Sequence, residues 1–306
     1  MSASKNDRKF KHLISIDELS KDDILYILDR AAEFEDVAKG KKVSKVLEGR
    51  ILANLFFEPS TRTRMSFEAA MKRLGGCVIN MTDTEISSVA KGESLADTIR
   101  VVSNYVDVIV LRHPLEGAAK FASENSKVPI INAGDGAGQH PTQTLLDLYT
   151  IQKESRLDGC RIALMGDLKY SRTVHSLIRA LTLFRTKIYL VSPPMLRLPD
   201  DFIDDLSGDI QEAELEDIIE EIDVLYVTRI QKERFPDEEE YRKVSGSYII
   251  TSKTLERARE SLIIMHPLPR VNEIGTDVDR LRFARYFEQA FYGVPIRMAI
   301  LFELLK

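Results

Sequence analysis

Residues 51–64 read ILANLFFEPSTRTR, and the way this stretch divides decides the fold. Its first part, residues 51–57, is a short continuous apolar run, which predicts a strand buried on both faces. Its second part opens a helix at about Ser60. Phe67, Ala70, Met71 and Leu74 then recur on one helical face, and Gly75-Gly76 ends the pattern. A doubly buried strand that passes directly into an amphipathic helix is one βα unit of a parallel sheet.

The alternation continues on both sides. Upstream, a helix starts near Ser20, where Asp23 completes a capping box and Ile24, Ile27, Leu28, Ala31 and Phe34 share a face. Downstream, the pattern predicts strands over 77–81, 107–112 and 129–133, helices over 94–105 and 117–125, and a helix from Pro141 to about residue 154. A second series follows, with strands over 161–165, 187–191, 224–228 and 262–265 and helices over 172–184 and 215–222. A last helix over about 295–305 carries Ile296, Ile300, Leu301 and Leu304. No repeat of roughly 20–50 residues, as a solenoid or propeller would show, is evident, and no low-complexity segment. The expected fold is α/β with two domains, each a parallel β-sheet flanked by helices. The chain of 306 residues divides into 1–148 and 149–306, and the last helix, about 292–306, is a candidate for returning to the first domain.

Bulk properties narrow the function. Hydrophobic residues make up 44% of the chain, enough apolar material for two cores. The formal charge is −5, which disfavours nucleic acid and anionic membranes as partners, although a local arginine cluster can still make a positive pocket. Cys77 and Cys160 form neither a zinc-type pair nor a disulfide framework, so a reducing cytoplasm fits best. No apolar run is long enough to cross a membrane. Residues 1–12 lack the apolar core of a secretory signal, and the first ten or so read as a loose tail.

In open α/β sheets ligands bind beyond the carboxyl ends of the strands, so the residues that directly follow the apolar runs are the informative ones. Glu58-Pro59-Ser60-Thr61-Arg62-Thr63-Arg64 supplies hydroxyls, a planar guanidinium and a helix N-terminus, all suited to an anion. An ordinary N-cap with solvated arginines is the competing reading. Arg112 ends another strand, as a second anion donor or an exposed charge. Gly134–Gln139 is a glycine-rich loop that leads to His140, and Gln143 lies about one helical turn later. A lone histidine is usually structural.

Gly166-Asp167-Leu168-Lys169-Tyr170-Ser171-Arg172 lacks the glycines of a dinucleotide fingerprint, so Arg172 at a helix start reads as a carboxylate or phosphate anchor. Thr228-Arg229-Ile230-Gln231-Lys232 is a polar strand exit, otherwise a solvated loop. His266-Pro267-Leu268-Pro269-Arg270 leaves carbonyls free as acceptors, because proline has no N–H. Ser87–Thr98 reads as a mobile polar loop in which Lys91 beside Gly92 either reaches an anion or stays solvated. Together these segments ask for a substrate with several negative charges and a small uncharged polar part.

The run Ser60-Thr61-Arg62-Thr63-Arg64 resembles the carbamoyl-phosphate motif of the carbamoyltransferases. The segments at Lys91–Thr98, Arg112–Pro114, His140–Gln143, Gly166–Arg172, Thr228–Arg234 and His266–Arg270 resemble the aspartate branch of that family, in order and with compatible spacing. Relatives that use ornithine carry His-Cys-Leu-Pro and a Ser-Met-Gly loop, and neither occurs here. Ala90 stands where some relatives have a second lysine.

The resemblance implies transfer of the carbamoyl group of carbamoyl phosphate to the amino group of L-aspartate, an early step of pyrimidine biosynthesis, with no cofactor and no metal. It implies phosphate binding by Ser60, Thr61, Arg62 and Thr63. Arg112 would span phosphate and carbonyl, and Thr63 and His140 would polarise the carbonyl oxygen. Gln143 and the Leu268-Pro269 segment would hold the carbamoyl amide, and Lys91, Arg172, Arg229 and Gln231 would bind aspartate. Ser87 and Lys91 would come from a neighbouring subunit of a homotrimer, which leaves separate regulatory chains open. The alternatives are a carbamoyltransferase for another amine, such as ornithine, or a non-catalytic homologue.

Overall fold

The computed structural model describes residues 10–81, 92–230, 239 and 248–306. The chain forms two compact units, one of Met1–Leu146 with Phe291–Lys306 and the other of Asp147–Ala290.

In the first unit β1 (Ile51–Phe56), β2 (Cys77–Met81), β3 (Val108–His113) and β4 (Ile130–Asp135) form a parallel sheet in the order β2-β1-β3-β4. Leu52 to Phe56 are all buried, as expected of a strand covered on both faces, and the one polar residue among them, Asn54, donates its Nδ2 to Asn80 Oδ1 at 2.9 Å. The connecting helices are α2 (Thr61–Arg73), α3 (Leu95–Val102) and α4 (Ala118–Asn125), and α5 (Pro141–Glu154) follows β4. Ala53, Leu55, Ile99, Ile109, Leu111, Ala119 and Ile130 pack into one core cluster. Each leucine or isoleucine among them contributes roughly 1.5–3 kcal/mol when fully buried.

Helix α1 (Lys21–Ala38) carries the expected capping box. The Asp23 N–H donates to Ser20 Oγ at 3.2 Å and the Ser20 N–H to Asp23 Oδ2 at 3.1 Å. The C-terminal helix packs against α1: Tyr26 and Arg30 both donate to Glu303 Oε1, at 3.0 and 3.1 Å, and the rings of Phe34 and Phe302 meet edge to face at 5.5 Å.

In the second unit β5 (Arg161–Met165), β6 (Lys187–Val191), β7 (Asp209–Glu212), β8 (Val224–Val227) and β9 (Ile263–Met265) form a parallel sheet in the order β7-β6-β5-β8-β9. Helices α6 (Arg172–Leu181), α7 (Asp200–Asp204) and α8 (Leu215–Ile218) lie in the same unit.

Several elements differ from the sequence reading. The polar strand β7 went unread because Asp209, Gln211 and Glu212 are exposed, so its sequence has no buried face to signal. The expected strand at Cys77 forms as β2, at the edge of its sheet with β1 as its neighbour, and Ile79 on it is 51% accessible. The last helix spans Tyr286–Leu305 and begins well before Pro295, which sits inside it. Proline inside a helix sacrifices one backbone bond. Burial of Ile296, Met298, Ala299, Ile300, Leu301 and Leu304 outweighs that loss here.

Both sheets reverse direction once. After β1 the chain adds β2 on one side and β3 on the other. After β5 it adds β6 on one side and β8 on the other. At such switch points the loops diverge and leave a crevice at the strand carboxyl ends, where ligands of open α/β sheets bind.

Candidate active site

At the first switch point β1 and β3 run side by side, with Phe56 opposite Arg112. Ser60 is the N-cap of α2 but makes no side-chain cap bond, and the first intrahelical bond is Arg64 N–H to Ser60 O at 3.3 Å. The hydroxyl and the first-turn amides are therefore available to an outside acceptor, and the helix dipole favours a negative one. Among the described residues Arg62 has no hydrogen-bonded or ion-paired partner, and desolvation lowers its pKa. A guanidinium in partly desolvated surroundings without its own counter-ion is a receptor for an anion. Thr63 is buried one residue further on.

Arg112 is 9% exposed. Its Nη1 donates to the carbonyl of Ala133 at 3.1 Å and its Nη2 to Glu58 Oε1 at 2.6 Å. Two fixed nitrogens hold the guanidinium plane in place, which a ligand-binding fork requires. The sequence reading gave Glu58 no role. Its signal was its place directly after a strand that neighbours the one ending in Arg112.

The glycine-rich loop after β4 is a brace for His140. Asp135 Oδ1 accepts from the Gln139 N–H and from Asn132 Nδ2, each at 3.0 Å, and Oδ2 accepts from the Gly117 N–H at 2.9 Å. Gly136 has φ 51°, and a Cβ there would lie 2.7 Å from the Glu116 nitrogen, so only glycine fits. The loop delivers His140 buried at the head of α5, with Thr142 Oγ1 3.5 Å from its Nδ1. Gln143 is also buried, and its N–H bonds the His140 carbonyl at 2.9 Å.

In the second unit the switch point lies between β5 and β8, with Met165 opposite Val227. Thr228 Oγ1 donates to the carbonyls of Met165 and Asp167, at 3.2 and 3.3 Å, and so ties the end of β8 to the turn after β5. Gly166 has φ 115°, and a Cβ would meet the Thr228 carbonyl at 2.3 Å. Half-buried Arg229 follows Thr228, and half-buried Arg172 opens α6, whose N-cap Ser171 makes no cap bond. Next in the sheet, β9 ends at Met265 and leads into His266-Pro267-Leu268-Pro269, with a cis bond between Leu268 and Pro269. Three adjacent strand ends thus carry the 166–172, 228–229 and 266–270 segments.

The chain matches two family models. Residues 11–153 match the carbamoyl-P binding domain of aspartate/ornithine carbamoyltransferases, and residues 158–304 match the Asp/Orn binding domain. The aspartate carbamoyltransferase catalytic subunit of Archaeoglobus fulgidus is 72% identical over 96% of this chain and 99% of its own length.

The chain belongs to the aspartate/ornithine carbamoyltransferase family.

Among solved carbamoyltransferase structures, the catalytic subunit of Methanocaldococcus jannaschii aspartate transcarbamoylase superposes with a TM-score of 0.90 at 62% identity, covering 96% of this chain and 98% of that one. The Trypanosoma cruzi aspartate transcarbamoylase solved with N-(phosphonacetyl)-L-aspartic acid superposes at 0.92 with 43% identity, covering 98% and 97%. The same enzyme has been solved with carbamoyl phosphate and aspartate. Of the carbamoyltransferase residues singled out from sequence, Ser60, Thr61, Arg62, Thr63 and Arg112 stand at the first unit's switch point, with His140 and Gln143 at the next strand end. Arg172, Arg229, Leu268 and Pro269 stand on the carboxyl edge of the second sheet. Ser87, Lys91 and Gln231 lie outside the described residues.

Proposed function

We propose that this chain catalyses transfer of the carbamoyl group of carbamoyl phosphate to the amino group of L-aspartate, giving N-carbamoyl-L-aspartate and phosphate for pyrimidine biosynthesis. The observation that carries the reading is Arg62, a partly desolvated guanidinium without a partner among the described residues, at the uncapped N-terminus of the helix that follows β1, the strand paired with the one that carries the fixed fork of Arg112.

On this reading Ser60, Thr61, Arg62 and Thr63 bind the phosphate, and Gln143 with the Leu268 carbonyl holds the carbamoyl amide. Lys91, Arg172, Arg229 and Gln231 bind the two carboxylates of aspartate. The neutral amine attacks the carbamoyl carbon, a C–N bond forms, and charge builds on the carbonyl oxygen. Arg112, Thr63 and His140 stabilise that charge. The C–O bond to phosphate then breaks, and the leaving phosphate takes the proton released by the amine. Much of the acceleration comes from holding two anions in reacting geometry.

Phosphate release with aspartate against ornithine as acceptor tests the substrate. Aspartate is expected to be carbamoylated and ornithine left unchanged, and the reverse preference would overturn the assignment.

The proposal includes a cytoplasmic homotrimer in which Ser87 and Lys91 act in a neighbour's site. The free thiols of Cys77 and Cys160 suit a reducing compartment. Among the described residues no helix is long and apolar enough to cross a membrane. Mixing inactive Lys91→Ala chains with inactive Arg62→Ala chains is expected to restore partial activity through hybrid sites. No recovery after verified subunit exchange would sink the shared-site arrangement.

A further inference from the structure

Leu268 is the one non-glycine among the described residues with a positive φ, at 55°. Leucine rarely adopts this left-handed conformation unless its surroundings impose it. Here a buried polar chain does so. The Leu268 N–H donates to His266 Nδ1 at 2.8 Å, and His266 Nε2 lies 2.7 Å from Glu273 Oε1. Glu273 Oε2 accepts the N–H groups of Val271 and Asn272, each at 3.0 Å. The His266 N–H donates to Gln289 Oε1 at 2.8 Å, Gln289 Nε2 donates to Asp147 Oδ1 at 2.7 Å, and Tyr226 donates to Asp147 Oδ2 at 2.9 Å. His266 and Gln289 are each 1% exposed.

We propose that His266, oriented by Glu273, is a positioning residue that sets the Leu268 backbone and thereby the affinity for carbamoyl phosphate. The inference rests on the reading above that the Leu268 carbonyl accepts the carbamoyl amide. An Nδ1 that accepts a backbone N–H has its lone pair free, so the proton sits on Nε2 and is donated to Glu273. Burial disfavours the ionised Glu273, but the bonds from His266 and the backbone outweigh it and hold the carboxyl below the usual carboxylate range. The acceptor for His266 is therefore a carboxylate, which fixes ring and tautomer together. Both ring nitrogens are engaged within the loop, so the role of His266 is to hold backbone in place.

Two variants separate positioning from general stability. His266→Asn puts an amide oxygen where Nδ1 stood and leaves Glu273 without its donor. His266→Gln reaches Glu273 and leaves the Leu268 N–H without its acceptor. The proposal expects His266→Gln to raise KM for carbamoyl phosphate roughly tenfold with a smaller change in kcat. His266→Asn is expected to melt at a lower temperature but keep KM near the wild-type value.

If KM falls into step with melting temperature across both variants, or moves in neither, the proposal is overturned. Isotope-labelled histidine in the wild-type enzyme gives a second measurement that needs no variant to fold: a neutral ring protonated on Nε2 supports the proposal, and an imidazolium at His266 refutes it. Wild-type enzyme assayed alongside keeps the two readings apart. Absent transfer to aspartate condemns the proposed reaction, whereas normal transfer with unmoved variants condemns only the role of His266.

Discussion

Arg62→Ala is expected to lower turnover by at least about a hundredfold while leaving the melting temperature close to that of the wild type. The two halves of this expectation have separate grounds. The fold should tolerate the change because Arg62 is exposed in the first turn of α2 and has no bonded partner among the described residues. Alanine is also the best helix former. The rate should not tolerate it, because the leaving phosphate gains charge as the C–O bond breaks, and Arg62 is a cation at that helix end with no bonded partner among the described residues. Arg62→Lys keeps the charge but loses the planar fork, and should fall between the two. Steady-state turnover together with a thermal melt checks both halves. A purified Arg62→Ala enzyme with near-normal kcat would remove this residue from the mechanism.

Arg112→Met should abolish activity as severely, by roughly a hundred- to a thousandfold, and unlike Arg62→Ala it should also destabilise the protein. Methionine fills part of the aliphatic volume but makes neither the 3.1 Å bond to the Ala133 carbonyl nor the 2.6 Å ion pair with Glu58. Glu58 is left as a partly buried carboxylate short of its cation, a loss of about 2 kcal/mol. Adding Glu58→Gln removes the charge that Arg112 balanced. The double variant is expected to melt higher than Arg112→Met and to remain inactive. If activity returned along with stability, Arg112 would be a structural residue only.

Much of the first unit was legible in the sequence. The strand expected over 51–57 became β1 over Ile51–Phe56, and the period of Phe67, Ala70 and Met71 became the buried face of α2. The Ser20–Asp23 box capped α1 as expected. These features are local: an apolar run, a helical period and a cap each involve residues within a few positions of one another. Most of the candidate residues were legible for a related reason, since they follow apolar runs and strand ends are where a parallel sheet exposes its loops. The edge strand β7 was not legible, because a strand without a buried face has no apolar alternation to read.

Residue order alone determined that this chain builds two parallel sheets and sets arginines, hydroxyls and His140 directly after their strands, because burial and period act over short stretches. Only the tertiary structure decided the strand orders and hence the two switch points, the exposed edge at β2, and the helix that continues through Pro295. It also decided which polar side chains pair. Glu58 meets Arg112 across 54 positions, and Asp147 meets Gln289 across 142. Pairings of that span depend on which strands and helices become neighbours, and no local propensity encodes them.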